Sequence, residues 1–145
     1  MIQKTAEIGA TGADAPPGIA ELALPGASRC HVRGEVLEAA FSLDDGRFLV
    51  WLTEGDPYDE RLHIHLLTAD GDTLDSIASS ATFTPGILQI GTIETCAINF
   101  DFYNNETHYK LIVGRPTLRL ALPWGWRFAG WRLRHFLSVD ISEIP

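Results

Sequence analysis

At 145 residues, 46% hydrophobic and 21% charged, the chain has the composition of one globular domain that needs no metal or disulfide to hold a core. No apolar run approaches the roughly 18 residues of a membrane helix, and a net charge of −8 argues against nucleic-acid binding through the whole surface. Two cysteines, Cys30 and Cys96, are too few for a disulfide scaffold and read as thiols, with a bridge as the competing reading if their strands face each other. The first eighteen residues carry Lys4 but no hydrophobic segment behind it. They do not read as a secretory signal, and a cytoplasmic location is expected.

The charge is unevenly placed. Residues 1–75 carry fourteen acids and five bases, whereas residues 76–145 carry five acids and six bases. Either basic strands lie beside acidic ones and pair across a sheet surface, or the molecule presents one acidic and one basic face that steer partners.

In chain order, residues 1–28 are rich in Ala, Gly, Pro and Thr. They read as an arm along the domain surface, with one helical turn expected within Ala15–Ala23 and ended by Pro25-Gly26. Residues 29–145 read as a single β domain. The first strand spans about Cys30 to Phe41. Its apolar phase shifts after Val36, which predicts a bulge, with Gly34 as the site of strong twist. Asp44-Asp45-Gly46 signals a hairpin turn. Arg47–Thr53 is apolar on both faces, the pattern of a central strand covered on both sides.

Arg61–Leu67 alternates: Leu62, Ile64 and Leu66 point one way, His63 and His65 the other. Asp70-Gly71-Asp72 makes a tight turn and Thr73–Ser79 returns. Its alternate carboxylates resemble a calcium loop but lack the distal glutamate, so a turn is expected. Pro85-Gly86 marks a kink before Ile87–Ile90.

The longest regular stretch is Ile93–Val113, two strands joined at Asn104-Asn105, with Cys96, Ile98, Phe100 and Phe102 inward on one strand and Tyr109, Leu111 and Val113 on the other. Thr117–Leu122 reads as a further strand with alternating leucines inward. Trp124 and Trp126 sit in a loop. Trp131–Ile141 ends the chain with Leu133, His135, Leu137, Val139 and Ile141 on one face. No helical spacing persists, there is no βαβ alternation, and eight or nine short strands follow one another. The expected fold is an all-β antiparallel two-sheet sandwich, with a flattened barrel as the alternative.

The candidate chemistry is limited. His63 and His65, at i and i+2 on one strand, project to one face and can hold two corners of a metal site, with His31, Asp101 or His108 as a third ligand. The competing reading is a solvent-facing pair on the polar side of that strand. Asp101 and His108 lie on paired strands beside Glu106 and suit acid–base work if a cleft contains them; otherwise they are a surface ion pair. Trp124, Trp126, Arg127 and Trp131 mix aromatic and basic character, as protein interfaces do. No phosphate loop, zinc knuckle, redox pair or dinucleotide fingerprint is present, and no cofactor is expected.

Taken together, these features favour a non-enzymatic protein-interaction module, of the inhibitor or immunity type. It would dock on a basic protein partner through Asp44, Asp45, Asp56, Asp59 and Glu60 in or near its turns, with Trp124, Trp126 and Arg127 as further contacts. The alternatives are a small-ligand-binding barrel and a metal-assisted enzyme using His63 and His65. Neither nucleic acid nor a membrane is an expected partner. Exposed strand edges or the Trp124–Trp131 loop offer a way to pair two copies.

Overall fold

The computed structural model describes residues 1–12, 15–54, 60–80, 86–103, 106–118, 122–129 and 133–142. In chain order these form β1 (Ile2–Lys4), β2 (Gly9–Ala10), β3 (Ile19–Ala23), β4 (Arg29–Arg33), β5 (Val36–Leu43), β6 (Phe48–Thr53), β7 (Leu62–Leu67), β8 (Thr73–Ser79), β9 (Gly86–Ile93), β10 (Ala97–Tyr103), β11 (His108–Leu118), β12 (Trp126–Phe128) and β13 (Arg134–Ser142). The fold is all-β and every strand pairing among the described residues is antiparallel. A six-stranded sheet runs β1-β5-β6-β7-β8-β12, a four-stranded sheet β13-β11-β10-β9, and a three-stranded sheet β2-β3-β4. None of them closes into a barrel. No helix among the described residues is long and apolar enough to cross a membrane.

The six-stranded sheet is the middle layer, and the alternation of β6 shows why. Leu49 and Trp51 point into a core shared with Phe100, Tyr109 and Leu137 of the four-stranded sheet, while Val50 and Leu52 point into a second core with Leu22, Cys30 and Val32 of the three-stranded sheet. All four β6 residues are fully buried. A strand with period-2 geometry can be apolar on both faces only if both faces are covered, so the pattern expected from Arg47–Thr53 is met.

The first core is aromatic. Trp51 meets Phe100 edge-on at 4.9 Å between ring centroids, and Trp126 meets both Phe100 at 5.5 Å and Tyr109 at 5.3 Å nearly at right angles. Such pairs contribute about 0.5–1.5 kcal/mol each beyond the area they bury. The indole N–H groups of Trp51 and Trp126 have no hydrogen-bond partner.

Four local expectations are corrected. Residues 19–23 form a strand, with Ala20 and Leu22 turned into the second core, because alternating burial against the middle sheet outweighs local helical preference. Among the described residues a 3₁₀ turn lies at Pro25–Ala27.

The run from Cys30 to Phe41 is two strands in different sheets. Gly34 forms the corner at φ +121°, and a Cβ there would overlap Leu52 Cβ. The bulge in this region falls at Leu37–Ala39, within β5. Thr117 and Leu118 pair with His135 and Arg134 as the tail of β11, and Leu118 is exposed because it runs beyond the core. In β13 the inward row is His135, Leu137 and Val139, while Leu133 and Ile141 are exposed at its ends.

Both expected tight turns in the first half are present. Gly46 N–H donates to the Leu43 carbonyl and Gly71 N–H to the Thr68 carbonyl, each at 3.0 Å. The β10–β11 hairpin keeps the expected register, from Ala97↔Ile112 to Phe100↔Tyr109; its turn at Asn104-Asn105 lies outside the described residues. Both cysteines are free. Cys30 is buried, and burial, with Glu21 nearby, pushes its thiol pKa up. Cys96 is exposed, against its expected inward place, although its carbonyl still accepts from Val113 N–H at 2.9 Å.

Candidate functional site: a cationic groove beside β4

The three-stranded sheet ends at β4, but the middle sheet beneath it continues through β7, β8 and β12. The uncovered part is the floor of an open groove of about 450 Å³, with His31 and Arg33 of β4 on one side and Arg127 of β12 on the other. His63 and His65 line it from β7, and Ser76 and Ala78 from β8.

The histidines are 5% exposed, so they are not the solvent-facing pair that alternation alone suggested. Their rings are parallel within 3° and 6.2 Å apart. That spacing is close to the two-residue repeat of a strand, about 6.6 Å.

Each ring has a definite job. His65 Nε2 lies 3.0 Å from the Arg33 carbonyl and Nδ1 lies 2.7 Å from Ser76 Oγ. A carbonyl can only accept, so the neutral ring carries its proton on Nε2 and takes the Ser76 hydroxyl hydrogen on Nδ1. Burial lowers its pKa to about 4, assisted by His63 and Arg33 and opposed by the bond to the Arg33 carbonyl. With both nitrogens committed, His65 can ligate a metal only by giving up one of these bonds. Among the described residues no group of three or more His, Cys, Asp and Glu side chains is arranged to hold one.

His63 differs. Its Nε2 lies 3.0 Å from Glu54 Oε1, and the carboxylate fixes the proton on that nitrogen. Burial lowers its pKa first; Glu54 raises it, and Arg127 and Arg33 lower it further. Its Nδ1 has no partner among the described residues and is not among the buried unpaired atoms. It is an acceptor on a ring that lines the groove.

Neither Arg33 nor Arg127 forms an ion pair with a described residue. Among the described residues no Asp or Glu lines the groove itself, although Glu21 lies 3.2 Å from His31 and Glu54 3.0 Å from His63 at its walls. In a chain of net charge −8 this is a local concentration of positive charge.

The other predicted residues are spread elsewhere. Asp44 accepts from the Met1 ammonium at 2.6 Å, and Asp45 from Arg47 at 2.8 Å, which lowers the Asp45 pKa. Glu60 is half-buried. Asp56, Asp59 and Trp131 lie outside the described residues. Trp124 is 70% exposed beside Tyr103, whereas Trp126 is buried in the aromatic core and presents nothing to a partner.

Asp101 and His108 do meet, at 2.6 Å, on the outer face of the four-stranded sheet, between clefts of about 400 and 420 Å³. Both side chains are more than a third exposed. Glu106, at the lip of one cleft, has φ +62°, the one positive value among described non-glycine residues.

A fourth cluster went unnoticed in the sequence. Asp75 is buried between the sheets and accepts from His135 Nδ1 at 2.9 Å, Leu137 N–H at 3.0 Å and Ser76 N–H at 2.9 Å. The available signal was an acid at an inward position, two before Ile77, and a histidine in the inward row of β13.

No family model, curated protein or solved structure matches this chain.

Proposed function

We propose that this chain is a non-enzymatic interaction module and that the groove beside β4 receives an anionic group of its partner. The observation that carries this is that Arg33 and Arg127, neither in an ion pair with a described residue, line one groove among whose described lining residues there is no carboxylate. Both side chains are exposed, so each contributes on the order of 1 kcal/mol to holding a counter-charge, and it is their convergence on one groove that adds up. The strand on the groove floor supports binding over chemistry, because His65 is locked as a neutral structural bridge.

The test is calorimetric titration of the full chain with citrate at low and high salt, alongside Arg33→Gln, Arg127→Gln and the double variant. Each single change should weaken binding about tenfold, which is 1.4 kcal/mol, and salt should weaken it further. Citrate binding that survives the double variant would refute the assignment of the groove.

A second reading keeps the acidic turns as the docking face for a basic partner, as an inhibitor or immunity-type protein would. The exposure of Asp44 and Asp45, 73% and 55% of their side chains, supports it. Each already holds an internal cation, which weighs against it.

A further inference from the structure

We infer that the anionic group suited to this groove is a phosphate that still carries one proton, its oxygens facing Arg33 and Arg127 and its P–O–H donating to His63 Nδ1. This rests on the reading of the groove as an anion site and narrows it to one chemistry.

The geometry starts from Glu54. Its carboxylate takes the Nε2 proton of His63 at 3.0 Å, so the neutral ring, which lines the groove, keeps a lone pair on Nδ1. A fully deprotonated anion beside that lone pair meets repulsion at one wall while being attracted at the others. An anion that brings its own donor meets no such conflict.

His65 cannot relieve it, because both of its nitrogens are spent on Ser76 and Arg33. The two guanidinium groups come from strands on different sides of the groove, β4 and β12. One planar carboxylate is satisfied by a single arginine fork, whereas a tetrahedral oxyanion has acceptor oxygens left for a second one. An acceptor between two cations therefore selects a tetrahedral anion with an O–H, which hydrogenphosphate has and sulfate lacks.

The same chemistry can come from free inorganic phosphate or from a phosphoryl group on a partner peptide. A phosphomonoester loses its last proton near pH 6, so it offers the donor only in acid.

The full chain is titrated with inorganic phosphate and with sulfate at about pH 6, and with a phosphoserine peptide at about pH 5.5 and about pH 7.5. Phosphate is expected to bind at least about tenfold more tightly than sulfate, a difference of 1.4 kcal/mol. His63→Phe, which keeps the ring volume and removes the acceptor, should erase that preference while leaving Arg-dependent anion binding. Should His63→Phe not fold, the phosphate-to-sulfate ratio of the unaltered protein decides the matter alone.

A peptide that binds more tightly than inorganic phosphate, and more tightly in acid than at neutral pH, assigns the phosphate to a partner. Inorganic phosphate binding as well as the peptide assigns it to the free ion, and either result supports the proposal. Equal affinity for phosphate and sulfate, or a preference for sulfate, overturns it while the broader anion reading stands. Failure of citrate, phosphate, sulfate and peptide alike overturns both.

Discussion

Lowering the pH from neutral to about 5 should cost the fold about 2 kcal/mol through His65 alone. The ring is buried and its pKa in the folded chain is about 4, against 6.5 for an ordinary histidine. Between those values the unfolded chain binds a proton that the folded chain refuses, so stability falls as pH falls, and the loss is complete below about pH 4. A difference of about 2.5 pK units corresponds to about 3 kcal/mol in full, of which about two-thirds is spent by pH 5. His63, lowered in the same direction, adds to the slope.

The assay is denaturant unfolding across this window for the native chain and for His65→Gln. The variant loses one bond of the Ser76–His65–Arg33 bridge and should be weaker at neutral pH, but its stability should fall less steeply toward acid. A titration of the His65 ring by NMR gives the pKa directly. A ring that titrates near 6.5, or parallel pH profiles for the two proteins, would refute the reasoning.

Asp75→Ala should cost about 3–5 kcal/mol in unfolding experiments, because it strands the His135 ring and the Leu137 and Ser76 N–H groups inside the protein. Asp75→Asn should cost less, since one side-chain oxygen still accepts. Gly34→Ala should lower stability by about 1–3 kcal/mol or more, since alanine is strained at φ +121° and its Cβ meets Leu52; a neutral result would show that the corner relaxes. Asp101→Asn should change stability by less than about 1 kcal/mol, and less still at high salt, because the pair with His108 is exposed on both sides.

Much of the architecture is legible from periodicity. Phe48-Leu49-Val50-Trp51-Leu52 reads as a strand covered on both faces, and its odd and even residues do enter two different cores. Leu62, Ile64 and Leu66 alternate with His63 and His65 as expected, and the β10–β11 hairpin keeps its register. What periodicity could not supply is the partner of each face. The shift of phase after Val36 predicts a bulge, and one lies at Leu37–Ala39 within β5; what periodicity does not show is the corner at Gly34 that sends β4 and β5 to different sheets. The sequence between them is the same for both outcomes; Leu52, on another strand, is what demands a glycine there. Likewise Ile19-Ala20-Glu21-Leu22-Ala23 becomes a strand because Val50 and Leu52 offer it a surface with a period of two.

The groove was harder to read for the same reason. His63 and His65 are visible as a pair, but whether they face water, metal or protein depends on residues far along the chain. The Arg33 carbonyl comes from thirty-two positions earlier, and Ser76 from eleven later. The uneven charge of the two halves suggested that bases of the second half would pair with acids of the first across a sheet surface. Arg127 is carried by the β12–β8 pairing to the edge of the six-stranded sheet, whose strands β1, β5, β6 and β7 come from the first half. What it finds across the groove is Arg33, while Glu21, Asp45 and Glu94 take Arg29, Arg47 and Lys110 elsewhere. Charge balance is met by neighbours in three other places, whereas at the groove the nearby acids Glu21 and Glu54 bond to His31 and His63 and leave both arginines without a described ion-pair partner. On the proposed reading, those two arginines and the accepting nitrogen of His63 give the groove its selectivity. The contrast between phosphate and sulfate measures that acceptor directly.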